Sequence, residues 1–238
     1  MHDLSGRTIL LTGASKGIGA ATARRLASEG ATGAGVDLKE PAWAGAGGAY
    51  ECDVSDHAAV REAFDRIATE LGGLHILVNN AGITRDNLLY KMPKADWDSV
   101  LEVNLTSVFN CVQAAQRHMV AQRHGKIVSL SSRSALGNRG QANYAAAKAG
   151  MHGFTISLAQ ENAKMGITVN TVSPGYIGTD MVMAVPEAVR EKIVAQIPTG
   201  RLGEPDEIAY AVAFFLADEA AWITGANLAA NGGQYMGW

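Results

Sequence analysis

The stretch TILLTGASKGIG, residues 8–19, decides the fold of this chain. Five residues of β-type apolar sequence lead into a turn that contains Gly13, Gly17 and Gly19, and a helical pattern follows over 20–29. Glycines permit a tight turn and let a phosphate approach the backbone, while the free N–H groups of a helix N-terminus favour an anion. The stretch predicts the first strand, turn and helix of a doubly wound sheet that binds a dinucleotide. A glycine turn of purely structural purpose is the alternative.

The rest of the chain continues the same alternation. Further β-type runs lie at 33–38, 50–52, 76–79, 126–130, 168–172 and 227–230, and helical patterns lie at 58–71, 97–122, 144–165 and 205–216. This order predicts right-handed crossovers and a parallel α/β sheet of seven strands with helices on both faces. We expect one domain over residues 1–238, with a surface loop at the Gly/Ala-rich stretch 42–49.

Composition excludes several classes of function. A net charge of -3 gives no basic surface for nucleic acid, and no apolar run reaches the ~20 residues that span a membrane. The N-terminus lacks a signal-peptide pattern, and Cys52 and Cys111 have no nearby cysteine or histidine at metal-ligand spacing. We therefore expect a cytoplasmic protein without a metal site and without nucleic-acid or membrane partners.

Asp37 bears on which dinucleotide is bound. It ends the second predicted strand about 20 residues beyond the turn, where an acid accepts hydrogen bonds from the ribose hydroxyls. A carboxylate there repels a 2′-phosphate, which favours NAD. Lys16, in the glycine turn, would instead attract that phosphate, so NADP is the alternative.

Tyr144 and Lys148 stand four residues apart in the motif NYAAAK, on one face of a predicted helix. A tyrosine has a pKa of roughly 10, too high for ready proton exchange at neutral pH. We expect the nearby ammonium to lower that pKa and to make the pair a proton-transfer group.

Several motifs together point to a known family. With TGASKGIG at 12–19, NNAG at 79–82, Asn104, serines at 131–132 and YAAAK at 144–148, the chain resembles the short-chain dehydrogenase/reductase family over essentially its whole length. The segments ITRDNLL (83–89) and ITVNTVSPGYIGTDMV (167–182) are most similar to 3-oxoacyl-(acyl-carrier-protein) reductases and acetoacetyl-CoA reductases.

The resemblance implies a nicotinamide-dependent oxidoreductase that acts on a 3-oxoacyl or 3-hydroxyacyl thioester. The catalytic residues it implies are Asn104, Ser132, Tyr144 and Lys148, with Tyr176 also facing substrate. The cofactor would be bound by Gly13, Ser15, Lys16, Gly17, Ile18, Gly19, Asp37, Asp53, Val54, Asn80, Ala81, Gly82, Tyr144, Lys148, Pro174, Gly175, Ile177 and Thr179. Asp53 and Val54 would flank the adenine, and Pro174, Gly175 and Ile177 the nicotinamide.

The catalytic serine has two candidates. The usual spacing to the tyrosine selects Ser131, whereas alignment of the apolar strand residues selects Ser132 with a loop that is one residue short. A one-residue slip would turn every strand side chain to the opposite face, while a loop deletion costs little. Ser132 is therefore preferred, and Ser134 is a third candidate.

Two other functions stay open at this point. One is an NAD-dependent dehydrogenase of another secondary alcohol or ketone, and the other is a non-catalytic dinucleotide-binding sensor. The resemblance also implies a homotetramer, a helical lid over 181–197 and an acyl group carried by CoA or by acyl-carrier protein.

Overall fold

A single parallel sheet organises the chain. The computed structural model describes residues 3–39 and 46–235. In these residues the sheet order is β3-β2-β1-β4-β5-β6-β7, and every pair is parallel. The strands are β1 (Thr8–Thr12), β2 (Thr32–Asp37), β3 (Gly47–Glu51), β4 (Ile76–Asn79), β5 (Gly125–Leu130), β6 (Ile167–Pro174) and β7 (Asn227–Ala230). The predicted fold class is confirmed.

Helices connect the strands and cover both faces of the sheet. They are α1 (Gly17–Ser28), α2 (His57–Glu70), α3 (Lys94–Leu101), α4 (Ser107–Gln122), α5 (Ala142–Asn162), α6 (Asp180–Met183), α7 (Glu187–Val194) and α8 (Pro205–Leu216). Short 3-10 turns lie at Leu89–Lys91, Arg133–Leu136, Ala163–Met165 and Asp218–Trp222. Within the described parts of the chain, no helix is both long enough and apolar enough to cross a membrane.

The core consists of two layers, one on each face of the sheet. Side chains alternate along a strand, so Leu10 of β1 packs beneath α2, α4 and α5 while Ile9 and Leu11 pack beneath α1 and α8. All residues of β1, β4, β5 and β6 are buried, as expected for strands covered on both faces. These strands therefore form a rigid base for the loops at their carboxyl ends.

Two sequence predictions differ from the structure. The predicted loop at 42–49 is wrong at its end, because β3 begins at Gly47 and pairs with β2; residues 42–45 lie outside the described residues. The predicted continuous helix 97–122 is divided into α3, a π-helical segment (Glu102–Thr106) and α4. The Asn104 amide donates to the Val100 carbonyl at 2.8 Å, which competes with the regular helical hydrogen bonds at that point.

The strand order places a crevice at the carboxyl edge of the sheet. The chain runs outward from β1 to β3 on one side, and from β4 to β7 on the other, so the two halves diverge between β1 and β4. Open α/β sheets bind their ligands at such a switch point. The glycine turn follows β1, and the candidate catalytic serines follow β5.

Candidate active site

The glycine turn is held tightly against the loop that follows β4. The backbone φ is +67° at Gly13, and a Cβ there would lie 2.8–2.9 Å from Asn80 Nδ2 and the Ala81 main chain. Asn80 Nδ2 donates to the Thr12 and Gly13 carbonyls at 3.1 and 2.8 Å, and Thr12 Oγ1 accepts the N–H groups of Asn80 and Ala81. Asn80 therefore shapes the turn, with a contribution from Thr12 that the sequence did not reveal.

The turn fits a dinucleotide phosphate by its shape. Gly17 also has a positive φ of +56°, and a Cβ on Gly19 would lie 2.0 Å from the Gly13 carbonyl oxygen. Gly17 and Gly19 therefore leave the main chain at the N-terminus of α1 without covering side chains. Nearby, Ile18 is half-buried and Lys16 is exposed. A bare helix N-terminus is suited to an anion.

Asp37 lies directly beside this turn. Its Oδ2 accepts the Ser15 N–H at 3.1 Å and also accepts the Ser15 hydroxyl, while its Oδ1 accepts the Leu38 N–H at 2.8 Å. The carboxylate at the end of β2 is therefore oriented toward the crevice. Lys16 makes no side-chain cap to α1.

The expected adenine-binding loop follows β3. The Asp53 carboxylate accepts the Ser55 N–H and hydroxyl at 2.9 and 2.6 Å, and Val54 is buried in the core. Asn110 of α4 donates to the carbonyls of Val54 and Ser55, each at 3.1 Å. Asn110 thus fixes the shape of the loop, and no local sequence signal could have revealed a contact between residues so far apart.

Tyr144 and Ser132 meet at the carboxyl edge of the sheet. The Ser132 hydroxyl faces the Tyr144 phenol closely enough to lower the pKa of that phenol. One turn along α5, Lys148 places its Nζ 5.5 Å from the centre of the Tyr144 ring, and the same Nζ donates to the Leu130 carbonyl at 2.6 Å. A hydroxyl, a phenol and an ammonium are therefore gathered in one place.

The pKa of Tyr144 is raised, which contradicts the expectation from the sequence. Burial raises it most, the interaction with Ser132 lowers it, and the charge of Asp86 raises it further. Burial also lowers the pKa of Lys148 to about 8. The predicted lowering of the Tyr144 pKa by Lys148 is thus wrong for the protein alone, because burial raises this pKa more than the interaction with Ser132 lowers it.

Ser131 and Ser134 are engaged elsewhere. The buried Ser131 hydroxyl donates to the Lys148 carbonyl at 3.0 Å, so its lone pair faces His152 Nε2 at 2.8 Å. The Ser134 hydroxyl donates to Gln141 Oε1 at 3.0 Å. Of the three serines, only Ser132 both contacts Tyr144 and keeps part of its surface exposed.

Asn104 places a buried side-chain oxygen near Lys148 Nζ, next to Gly82. Its Nδ2 donates to the carbonyls of Ile83 and Val100 at 2.9 and 2.8 Å, while its buried Oδ1 has no hydrogen-bond partner in the part of the chain described. A Cβ on Gly82 would lie 2.6 Å from that Oδ1 and 3.8 Å from Lys148 Nζ. The small Gly82 therefore keeps this oxygen and the ammonium open to a common space. An acceptor and a cation facing one space suit ribose hydroxyls or a bound water.

The loop after β6 forms the other wall of the crevice. Gly175 lies so close to Asn231 that a Cβ would approach its Cα to 2.8 Å, and a Cβ on Gly17 would lie 3.2 Å from Thr179 Cγ2. Pro174 ends β6 and is buried. Ile177, which is also expected beside the nicotinamide, is buried and packs into the core layer beneath α1 and α8.

Tyr176 lies beside a cavity of about 310 Å³. Its hydroxyl accepts from Arg133 Nη1 at 3.3 Å, and the guanidinium carbon of Arg133 lies 5.3 Å from the ring centre. No role was predicted for Arg133, although it directly follows Ser132. Across the described ranges 3–39 and 46–235, no cluster of three or more His, Cys, Asp or Glu side chains is arranged to hold a metal ion.

Known proteins resemble this chain over nearly its whole length. Residues 13–234 match a family model described as "Enoyl-(Acyl carrier protein) reductase". The chain is 49% identical over 242 residues to the 3-oxoacyl-(acyl-carrier-protein) reductase FabG of Escherichia coli strain K12, which covers 98% of this chain and 99% of that protein. It is also 49% identical over 238 residues to the acetoacetyl-CoA reductase of Shinella zoogloeoides, with 97% and 99% covered.

Proposed function

Because the chain belongs to the short-chain dehydrogenase/reductase family of nicotinamide-dependent oxidoreductases, we propose that it transfers hydride to or from C3 of a 3-oxoacyl or 3-hydroxyacyl thioester. In the reducing direction the product is the (R)-3-hydroxyacyl thioester. The observation that carries the proposal is the contact of Ser132 with Tyr144 beside Lys148, in a chain half identical to two thioester reductases.

The chain's own residues supply proton transfer and orientation. A bound nicotinamide supplies or accepts the hydride. Tyr144 donates its hydroxyl proton to the ketone oxygen, and Ser132 donates a hydrogen bond to the same oxygen as negative charge develops there. The Lys148 ammonium stabilises the phenolate that remains. In the oxidising direction Tyr144 acts as the base.

Asn104 takes part through its unpaired Oδ1. This buried oxygen faces the same space as Lys148 Nζ, next to Gly82. A water held there accepts a hydrogen bond from Lys148 and donates one to Asn104. Such a water connects the ammonium to solvent and lets the proton given up by Tyr144 be replaced.

NAD is the proposed cofactor, with NADP as the alternative. The Asp37 carboxylate, fixed by Ser15, stands where the ribose hydroxyls of the adenosine half are expected. It would accept their hydrogen bonds and repel a 2′-phosphate. The exposed Lys16 makes the opposite contribution. The Asp37 carboxylate is held by three hydrogen bonds from Ser15 and Leu38, whereas the Lys16 side chain does not cap α1, and this difference favours NAD.

A homotetramer is the proposed assembly. Phe109 of α4 and Ile156 of α5 are 45% and 49% exposed, which is unusual for large apolar side chains on the two long helices. Pairing of these helices with those of further copies would bury them. A sedimenting species with the mass of one chain would contradict this part of the proposal.

The unpaired Cys52 and Cys111 agree with the proposed cytoplasmic location.

Steady-state reduction of acetoacetyl-CoA, with NADH and NADPH compared side by side, tests the proposed function. We expect turnover with both, with the higher kcat/KM for NADH, and no turnover of crotonyl-CoA, which has a double bond but no ketone at C3. A clear preference for NADPH would refute the role of Asp37. Turnover of simple ketones without turnover of acetoacetyl-CoA would favour a dehydrogenase of another alcohol, and binding of the dinucleotide without any turnover would favour a sensor.

A further inference from the structure

Arg133 brings a positive charge to the candidate active site, and no carboxylate within residues 3–39 and 46–235 forms an ion pair with it. It directly follows Ser132 and begins the short turn after β5, and its side chain is partly buried. A partly buried guanidinium normally has a carboxylate, a phosphate or a carbonyl oxygen beside it. Among the described residues its one side-chain hydrogen bond goes to the Tyr176 hydroxyl, which leaves other donors for an oxygen of a bound molecule.

Tyr176 holds this guanidinium in one orientation. The group stacks on the Tyr176 ring at 5.3 Å from the ring centre and donates to its hydroxyl at 3.3 Å. A guanidinium carries five N–H donors in one plane, and the contact with Tyr176 uses one of them. The remaining donors stay available, and because stacking limits rotation, less side-chain entropy is lost when they bind an oxygen.

The position of Arg133 relates it to a particular atom of the substrate. Ser132 contacts Tyr144, so the oxygen on C3 lies at Ser132 in the proposed reaction. Arg133 is the next residue, and Tyr176 follows β6, the strand paired with β5. In a 3-oxoacyl group the C1 carbon is two bonds from C3. An oxygen on C1 therefore lies within a few ångströms of the oxygen on C3. Arg133, which stacks on Tyr176, is the cationic donor that adjoins Ser132 in the chain.

We propose that Arg133 donates hydrogen bonds to the oxygen on C1 of the substrate and selects 1,3-dicarbonyl compounds over simple ketones. The inference rests on the proposed function and names the group that this site recognises beyond the reacting ketone. The same chemistry is offered by the carbonyl of a thioester and by the carboxylate of a free 3-oxo acid. Both accept from a guanidinium, and the carboxylate also brings a charge.

A pair of matched substrates tests this selection. S-acetoacetyl-N-acetylcysteamine carries the C1 carbonyl, and the corresponding thioether, S-(3-oxobutyl)-N-acetylcysteamine, has CH₂ in its place. The native chain, Arg133→Met and Arg139→Met are compared on both. Arg139 is an exposed arginine in the same loop, so its replacement removes an equal charge without touching Tyr176. Neither substrate has a phosphate, so attraction of CoA phosphates plays no part.

We expect Arg133→Met to lower kcat/KM for the thioester by about 10- to 100-fold, the usual value of a hydrogen bond from a charged donor. The kcat/KM of this variant for the thioether should change by less than about threefold, as for a substitution outside the reacting groups. This retained activity shows that the variant is folded. Arg139→Met should change kcat/KM for each of the two substrates by less than this same factor. Equal loss with both substrates, or loss with neither, would overturn the inference.

Acetoacetate distinguishes the two sources of the C1 oxygen. A larger loss with acetoacetate than with the thioester in Arg133→Met identifies the carboxylate as the preferred group, and the reverse identifies the thioester. Failure of the native chain to reduce either 1,3-dicarbonyl compound would overturn the proposed function and this inference with it. Normal reduction of both by Arg133→Met would overturn the inference alone.

Discussion

We predict that Ser132→Ala lowers kcat for ketone reduction by about 10²- to 10³-fold, the usual loss when one donor to a developing oxyanion is removed. The Ser132 hydroxyl contacts Tyr144 and stays partly exposed to the crevice. The loss corresponds to roughly 3–4 kcal/mol of transition-state stabilisation. The free energy of unfolding should change little, because the variant loses only one protein contact from this hydroxyl, the Ser134 N–H that it accepts at 3.1 Å, besides that with Tyr144.

The neighbouring variant Ser131→Ala should behave in the opposite way. Its buried hydroxyl contacts the Lys148 carbonyl at 3.0 Å and His152 Nε2 at 2.8 Å. Loss of these two hydrogen bonds should lower the free energy of unfolding by about 1–3 kcal/mol. For a chain of this size each kcal/mol lowers Tm by about 2–4 °C. We expect kcat to stay within about threefold, because Ser131 does not face the reacting oxygen.

The two variants are controls for each other. Steady-state rates with acetoacetyl-CoA give kcat, and thermal or urea unfolding gives stability, for both proteins under one set of conditions. Ser132 is not the oxyanion donor if Ser131→Ala loses two or more orders of magnitude in kcat while Ser132→Ala keeps its rate. That result would restore the alternative alignment, in which the usual spacing to the tyrosine selects Ser131.

Three further substitutions test other parts of the account. Asp37→Ala should raise kcat/KM for NADPH relative to NADH by about tenfold, since about 1.4 kcal/mol of repulsion of the 2′-phosphate is removed, and an unchanged ratio in parallel assays would contradict this. Asn110→Ala should raise KM for the dinucleotide several-fold with little change in kcat, because the Val54 loop loses two hydrogen bonds; an unchanged KM would contradict this. His124 has a pKa that is lowered by burial and then by the charge of Arg7, so its neutral form stabilises the fold above pH ~6.5 and that contribution is lost as pH falls through its lowered pKa. Urea unfolding between pH 7 and 5 should therefore show a smaller loss of stability in His124→Asn than in the native chain, and an equal loss would contradict the assignment.

Local patterns were enough to predict the framework of the fold. The glycine turn, the buried strands and the helix that carries Tyr144 and Lys148 each depend on residues that are close in sequence. Apolar runs of four to eight residues between glycine or polar breaks gave β1, β4 and β7 with the bounds that the structure has. The weak β3 was predicted to begin three residues too late and to end one residue too late, because Gly47 and Gly48 carry no strand signal of their own.

Features that depend on distant contacts were not predicted. The support of the Val54 loop by Asn110 joins residues 56 positions apart, and the π-helical segment contains Asn104, whose amide donates to the carbonyls of Ile83 and Val100. The pKa of Tyr144 depends on how deeply the ring is buried, which no spacing reveals. The one-domain organisation and the catalytic roles of the site residues stay predictions until they are measured.

The central claim is that Tyr144 is the proton donor in the reduction of a 3-oxoacyl thioester. Its most direct test is kcat/KM for reduction of acetoacetyl-CoA by the native chain and by Tyr144→Phe, which keeps the ring and removes the hydroxyl. We predict measurable turnover by the native chain and a loss of about 10²-fold or more in the variant, as expected for removal of a general acid. Full activity in Tyr144→Phe would contradict it.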